Sequence, residues 1–287
     1  GPGIVAALRQ QAGDRRLFTP ALEYALDYMQ TVGAREVYPT PQALEGLAAF
    51  AEDFPAEPAA PHAILELLHR AGSPATVAQT GGRYFGFVNG GVLPAALAAR
   101  WLADTWDQNA ALYVISPVAA ALERLCETWL VDLLGLPEGS AAGFVTGTST
   151  ATLCGLAAGR DALLRRCGWN ADERGLFGAP EIRVLLGAQA HATVYKALSI
   201  LGLGKARVTH LPVDSEGRVL PDRLPPLDAR TLLVLQAGHV STGAFDPFEA
   251  LCPPARAAGA WVHVDGAFGL WAAASQTRRH LTAGVHL

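Results

Sequence analysis

From Gly143 onward the chain alternates short apolar runs with longer segments of helical periodicity, and few folds accept that pattern. Residues 182–186, 207–213, 231–235 and 260–264 read as strands, with residues 144–145 as a shorter one; helical segments at 149–167, 193–203 and 247–258 separate them. The central runs are continuously apolar rather than alternating, so both faces of each strand are covered, which predicts a mostly parallel sheet between helical layers. Ligands of such sheets sit at the carboxyl ends of the strands. Before Gly143 the pattern is helical. Thr19-Pro20 and Thr40-Pro41 each read as an N-cap followed by proline in the first turn, and residues 51–61 as a loop. Asn89-Gly90-Gly91 leads into an apolar helix over 94–109. Ser116-Pro117 caps another that runs to Leu134, with Leu122, Leu125, Trp129 and Leu133 at helical spacing.

Composition narrows the function classes. Hydrophobic residues make up 51% of the 287 and charged residues only 17%, which excludes a disordered chain and implies a large core or an oligomer interface. The net charge is −4 and no basic stripe offers a phosphate-backbone footprint, so nucleic acid is not an expected partner. No apolar run is long enough to span a bilayer, and residues 1–4 show no secretory signal. Cys126, Cys154, Cys167 and Cys252 form no CxxC pair; reduced thiols in a cytoplasmic protein are the expectation.

Three strand ends carry unusual polar groups. At Thr146-Gly147-Thr148-Ser149-Thr150 a strand hands over to a helix, and the amides and hydroxyls there suit a phosphate; an ordinary Ser/Thr N-cap is the competing reading. His191 follows a buried strand where the next helix begins, as a ligand-facing side chain or as a helix cap. Asp265 ends the run Trp261-Val262-His263-Val264-Asp265, where a carboxylate is costly unless a cation or several donors meet it; capping of the following turn is the alternative. His263 and Asp265 share a strand face, but no third ligand accompanies them, so no metal is expected. Taken together, the three groups match a ligand with a phosphate, a flat ring and a cationic ring nitrogen: pyridoxal 5′-phosphate (PLP). Its electron sink is deep only when the ring nitrogen is protonated, which a carboxylate favours.

The same residues carry a family likeness. The chain from Tyr84 onward resembles the group II PLP-dependent amino-acid decarboxylases, relatives of aromatic-L-amino-acid and glutamate decarboxylases. The matching stretches are Tyr84-Phe85-Gly86-Phe87, Ser116-Pro117 with Leu122-Glu123, residues 143–156 (GFVTGTSTATLCGL), Ala190-His191 with Lys196-Ala197, and His263-Val264-Asp265-Gly266-Ala267. The resemblance implies an α/β architecture of the PLP-dependent transferase fold type I, with an aspartate-aminotransferase-like large domain over 84–287. Residues 1–83 would form an N-terminal helical arm that wraps the partner of a homodimer. By resemblance Gly147, Thr148 and Ser149 hold the phosphate, His191 stacks on the ring, Asp265 pairs with the ring nitrogen and Ala267 packs against the ring. The implied function is decarboxylation of an L-amino acid. The alternatives are a carbon–carbon lyase or aldehyde synthase of the same fold, or a catalytically inactive homologue.

The departures from the family pattern are specific. The phosphate loop reads TGTSTAT, where many relatives have a small-residue loop followed by an acidic residue, so the resemblance fixes the register of the phosphate contacts only to within about one position. His239 stands where the resemblance leads to an asparagine, as a pocket residue or a tolerated substitution. Cys252-Pro253-Pro254 interrupts a helical segment, predicting a helix that begins or restarts at Pro254, since an interior proline costs about 3 kcal/mol. The family's cofactor-linking lysine and small domain lie beyond Leu287 by resemblance, so the chain reads as the cofactor-pocket portion of such an enzyme. The two lysines present, Lys196 and Lys205, read as surface residues.

Overall fold

A computed structural model describes residues 2–287. The chain divides into two compact units between Asp107 and Gln108, so the helix over 94–106 clusters with the residues before it.

The first unit is helical. It contains α1 (Pro2–Ala12), α2 (Arg15–Thr31), α3 (Pro41–Glu45), α4 (Pro61–Leu67) and α5 (Pro94–Trp106). Thr40 caps α3 as the sequence predicts, its hydroxyl accepting the Ala43 amide at 3.2 Å. Thr19 does not cap: Asp14 starts α2 instead, its carboxylate accepting the Arg16 amide and pairing with the Arg16 guanidinium. Pro20 then lies inside α2, and the carbonyl it cannot reach belongs to Arg16, an exposed residue. The helix expected over 94–109 ends at Trp106, because Asp107 turns into the left-handed region at φ 46°.

The second unit carries α6 (Pro117–Leu134), α7 (Thr148–Arg166), α8 (Ala171–Arg174), β1 (Arg183–Gly187), α9 (Ala192–Ile200), β2 (Thr209–Leu211), β3 (Thr231–Gln236), α10 (Phe248–Ala257) and β4 (Trp261–Asp265). Ser116 caps α6, and Gly135 ends it at φ 63°, a conformation that glycine adopts at little cost. The four strands form one parallel sheet in the order β2-β1-β3-β4. Strand alternation places Val184, Leu186, Leu232 and Val234 on one face, against Leu156 and Leu163 of α7 and Val194 and Leu198 of α9. Leu185, Leu233 and Leu235 point the other way, against Phe248, Leu251 and Ala255 of α10. The continuous apolar runs are therefore buried on both sides, as their pattern requires.

Two strand expectations fail. Phe144 and Val145 form no strand; among the described residues no backbone pairs with them, and both side chains are exposed. β2 is shorter than its run, since Lys205–Arg207 coils into a single 3-10 turn. The expected restart at Pro254 also fails. α10 runs unbroken through Pro253 and Pro254, which sit on its exposed face; the carbonyls they leave without donors belong to Glu249 and Ala250, also exposed, while Phe248, Leu251, Cys252 and Ala255 anchor the opposite face. Core packing on one side and water on the other offset the lost bonds.

Candidate active site

The site lies at the carboxyl ends of β1, β3 and β4. His191 and Asp265, far apart in sequence, line one cavity there together with Gln189, Gly217, Gln236 and Asp246.

His191 is the N-cap of α9. Its Nδ1 accepts the Thr193 amide at 3.3 Å and lies 2.8 Å from the Thr193 hydroxyl. The capping alternative and the cavity position thus hold together. With Nδ1 accepting, a neutral ring carries its proton on Nε2. Asp265 ends β4 beside Gln236, its ladder partner in β3. Its Oδ1 accepts the Ala267 amide at 3.2 Å, and among the described residues Oδ2 receives no hydrogen bond. Ala267 itself is exposed and does not line the cavity.

The third group stands outside that cavity. Gly147 is the extended N-cap of α7, with no side-chain cap; its carbonyl accepts the Thr150 and Ala151 amides. The amides of Thr148 and Ser149 receive no acceptor among the described residues, which leaves an open helix N-terminus suited to an anion. Ser149 and Thr150 share a groove with Thr193 and Lys196 at the start of α9. Lys196 is exposed, as its sequence reading states, yet it borders the phosphate-type turn.

Several site residues escape the sequence reading. Gln236 ends the apolar run of β3, the same signal that singles out Asp265. Asp246 is buried, and its two oxygens accept the Val219 and Gln236 amides at 2.7 Å each. Burial pushes its carboxyl above the usual range, against those two bonds. Its signal is a carboxylate set between Phe245 and Phe248. Gly217, at φ 87°, sits between Gln189 and His239: a Cβ there would come 2.8 Å from Gln189 Oε1 and 3.3 Å from His239 Cδ2. His239 therefore abuts the rim and does not line the cavity. His263, two residues before Asp265, is half-buried, and its Nε2 is enclosed with no hydrogen-bond partner among the described residues; desolvation holds its pKa below the ordinary imidazole value, opposed by the charge of Asp265.

Known proteins match the chain in sequence and in fold. The family profile described as the pyridoxal-dependent decarboxylase conserved domain covers residues 45–287. The chain belongs to that family. It is 29% identical over 212 residues to the acidic amino acid decarboxylase GADL1 of Mus musculus, covering 71% of this chain and 38% of that protein. It is 30% identical over 223 residues to tryptophan decarboxylase 1 of Oryza sativa subsp. japonica, covering 70% and 43%. Among solved structures, that of mouse CSAD superposes with a TM-score of 0.82 at 25% identity, over 94% of this chain and 58% of that one. The chain thus spans less than half the length of the curated relatives named here. The family's cofactor is pyridoxal phosphate, and the residues present fit it: an open helix N-terminus for the phosphate, and a carboxylate oxygen without a partner in the cavity that His191 lines. Among the described residues no group of three or more His, Cys, Asp or Glu could hold a metal, and no helix is long and apolar enough to cross a membrane.

Proposed function

We propose that the protein decarboxylates an L-amino acid with pyridoxal phosphate, and that residues 84–287 supply the cofactor pocket. The observation that carries this reading is the meeting of His191 and Asp265 in one cavity at the strand ends. In it, Gly147, Thr148 and Ser149 bind the phosphate through the open amides of α7. The Oδ2 of Asp265 holds a proton on the ring nitrogen, while Oδ1 stays tied to the Ala267 amide and fixes the carboxylate's direction. His191 lies over the ring, oriented by its bonds to Thr193, with the Nε2 proton free to be offered near the reacting carbon. The cofactor, when bound, supplies the electron sink for loss of the α-carboxylate.

The same reading makes the enzyme a cytoplasmic homodimer, with residues 1–83 as an arm on the partner subunit. What supports the dimer is α6: it has 18 residues and none is fully buried, and Leu122 and Trp129 stand 54% and 61% exposed. An apolar helix in that state calls for a covering surface. The free state of all four cysteines agrees with a reducing compartment.

The test is Asp265→Asn in the full-length enzyme. PLP binding should persist, while turnover falls by about two orders of magnitude or more, at about 1.4 kcal/mol per tenfold, because the neutral amide no longer favours the protonated ring nitrogen. Near-normal turnover would overturn the assignment.

A further inference from the structure

The groove between α7 and β4 is set by two glycines. A Cβ on Gly159 would come 2.7 Å from Cδ1 and Nε1 of Trp261, and a Cβ on Gly155 would come 2.8 Å from Cε1 and 3.0 Å from Nδ1 of His263. The helix and the strand run in opposite directions here: four residues back along α7 correspond to two residues forward along β4. The steps match in length, about 6.0 Å on the helix and about 6.6 Å on the strand. Trp261 and His263 therefore seat in consecutive notches of one helix face. One further step in the same register brings Ala151 level with Asp265 and sets Thr148 most of a turn beyond the strand end.

We propose that His263 is a positioning residue: lodged against Gly155, it sets where α7 rests along β4, and so the span between the Thr148–Ser149 turn and the Asp265 carboxylate. Of the two notches it is the one nearer the site, two residues from Asp265 and two helical turns from Thr148. Its buried Nε2 has no hydrogen-bond partner, so no bond at that atom fixes the ring, which leaves packing against the helix to hold its place. The inference rests on the PLP reading, because only a ligand that touches both ends senses the span.

Three probes separate the effects on the purified chain: PLP, which reaches both ends; pyridoxal, which lacks the phosphate; and inorganic phosphate. His263→Ala and Gly155→Ala should each weaken PLP binding by about tenfold or more, leaving pyridoxal and phosphate within about twofold, because misalignment removes the gain from linking two ends. The double variant should recover part of the loss, since the new methyl occupies room that the ring vacates. His263→Met, close in volume and without ring nitrogens, should keep PLP binding within about threefold of the parent. Unchanged PLP affinity in folded His263→Ala, an equal loss of all three probes, or a His263→Met variant as weak as His263→Ala would overturn the proposal. Failure of the parent chain to bind PLP would instead bring down the cofactor reading itself.

Discussion

The helices of the first unit and the sheet of the second, with α7, α9 and α10 on its faces, use apolar residues to opposite effect. Among the described residues up to Asp107, only Pro39, Ala71 and Ala78 are buried, while Ile4, Leu8 and Phe18 lie open along α1 and α2. In the second unit Leu156, Leu185, Leu186, Leu232, Leu233 and Leu251 are fully enclosed. Apolar content alone does not make the difference. In the second unit a parallel ladder pairs segments up to 48 residues apart, and the central strands β1 and β3 present one face to α7 and α9 and the other to α10. The helices of the first unit are separated by proline-bearing turns and an open loop over 51–60, with no ladder to draw their faces together. A helix gains most of its stability from packing of its apolar face, and the described helices of the first unit have little of that contribution within this chain.

The contrast can be broken by mutation. Leu233→Ala in the middle of β3 should cost about 2–5 kcal/mol, since the vacated space is walled by rigid neighbours. Leu26→Ala on α2, 42% exposed, should stay within about 0.5 kcal/mol in the same chain. Urea unfolding of both variants measures this. A Leu26→Ala cost approaching that of Leu233→Ala would show that the first unit has a core of its own. An effect of Leu26→Ala that grows with protein concentration would show instead that a second copy covers α2.

The second unit was also the more legible of the two. Its strands declared themselves because full burial leaves continuous apolar runs, as in β1 and β3, and Asp265 stood out as a charge at the end of such a run. His191 was legible for the same reason, by its place at a strand-to-helix junction. What stayed hidden depended on contacts that no local pattern encodes. Asp246 is bound by amides from Gln236, ten residues away, and from Val219, twenty-seven away. The tolerance of Pro253 and Pro254 follows from which side of α10 meets water, a property of the folded chain. Thr19-Pro20 misled because a stronger cap, Asp14 with its Arg16 partner, lies five residues upstream.

The smallest effect is a titration, and it sharpens the same contrast by tying pH dependence to the sheet. His263 is half-buried in the second unit with its Nε2 enclosed, and its pKa is lowered chiefly by desolvation, with Asp265 acting in the opposite direction. An unfolded histidine takes up a proton near pH 6.5. Below that pH the unfolded chain binds a proton that the folded chain refuses, so unfolding gains ground. The contribution of His263 to stability is thus present above about pH 6.5 and is lost as pH falls toward its lowered folded value. The buried carboxyl of Asp246 works with the opposite sign: its raised pKa makes stability fall as pH rises through that value. His263→Met removes the first contribution and leaves the second. Unfolding free energies at pH 5, 6 and 7 should therefore show the parent chain losing its advantage over His263→Met as the solution is acidified. Parallel pH curves would mean that the imidazole is hydrated in the folded chain, and the close seat against Gly155 would then not describe the protein in solution.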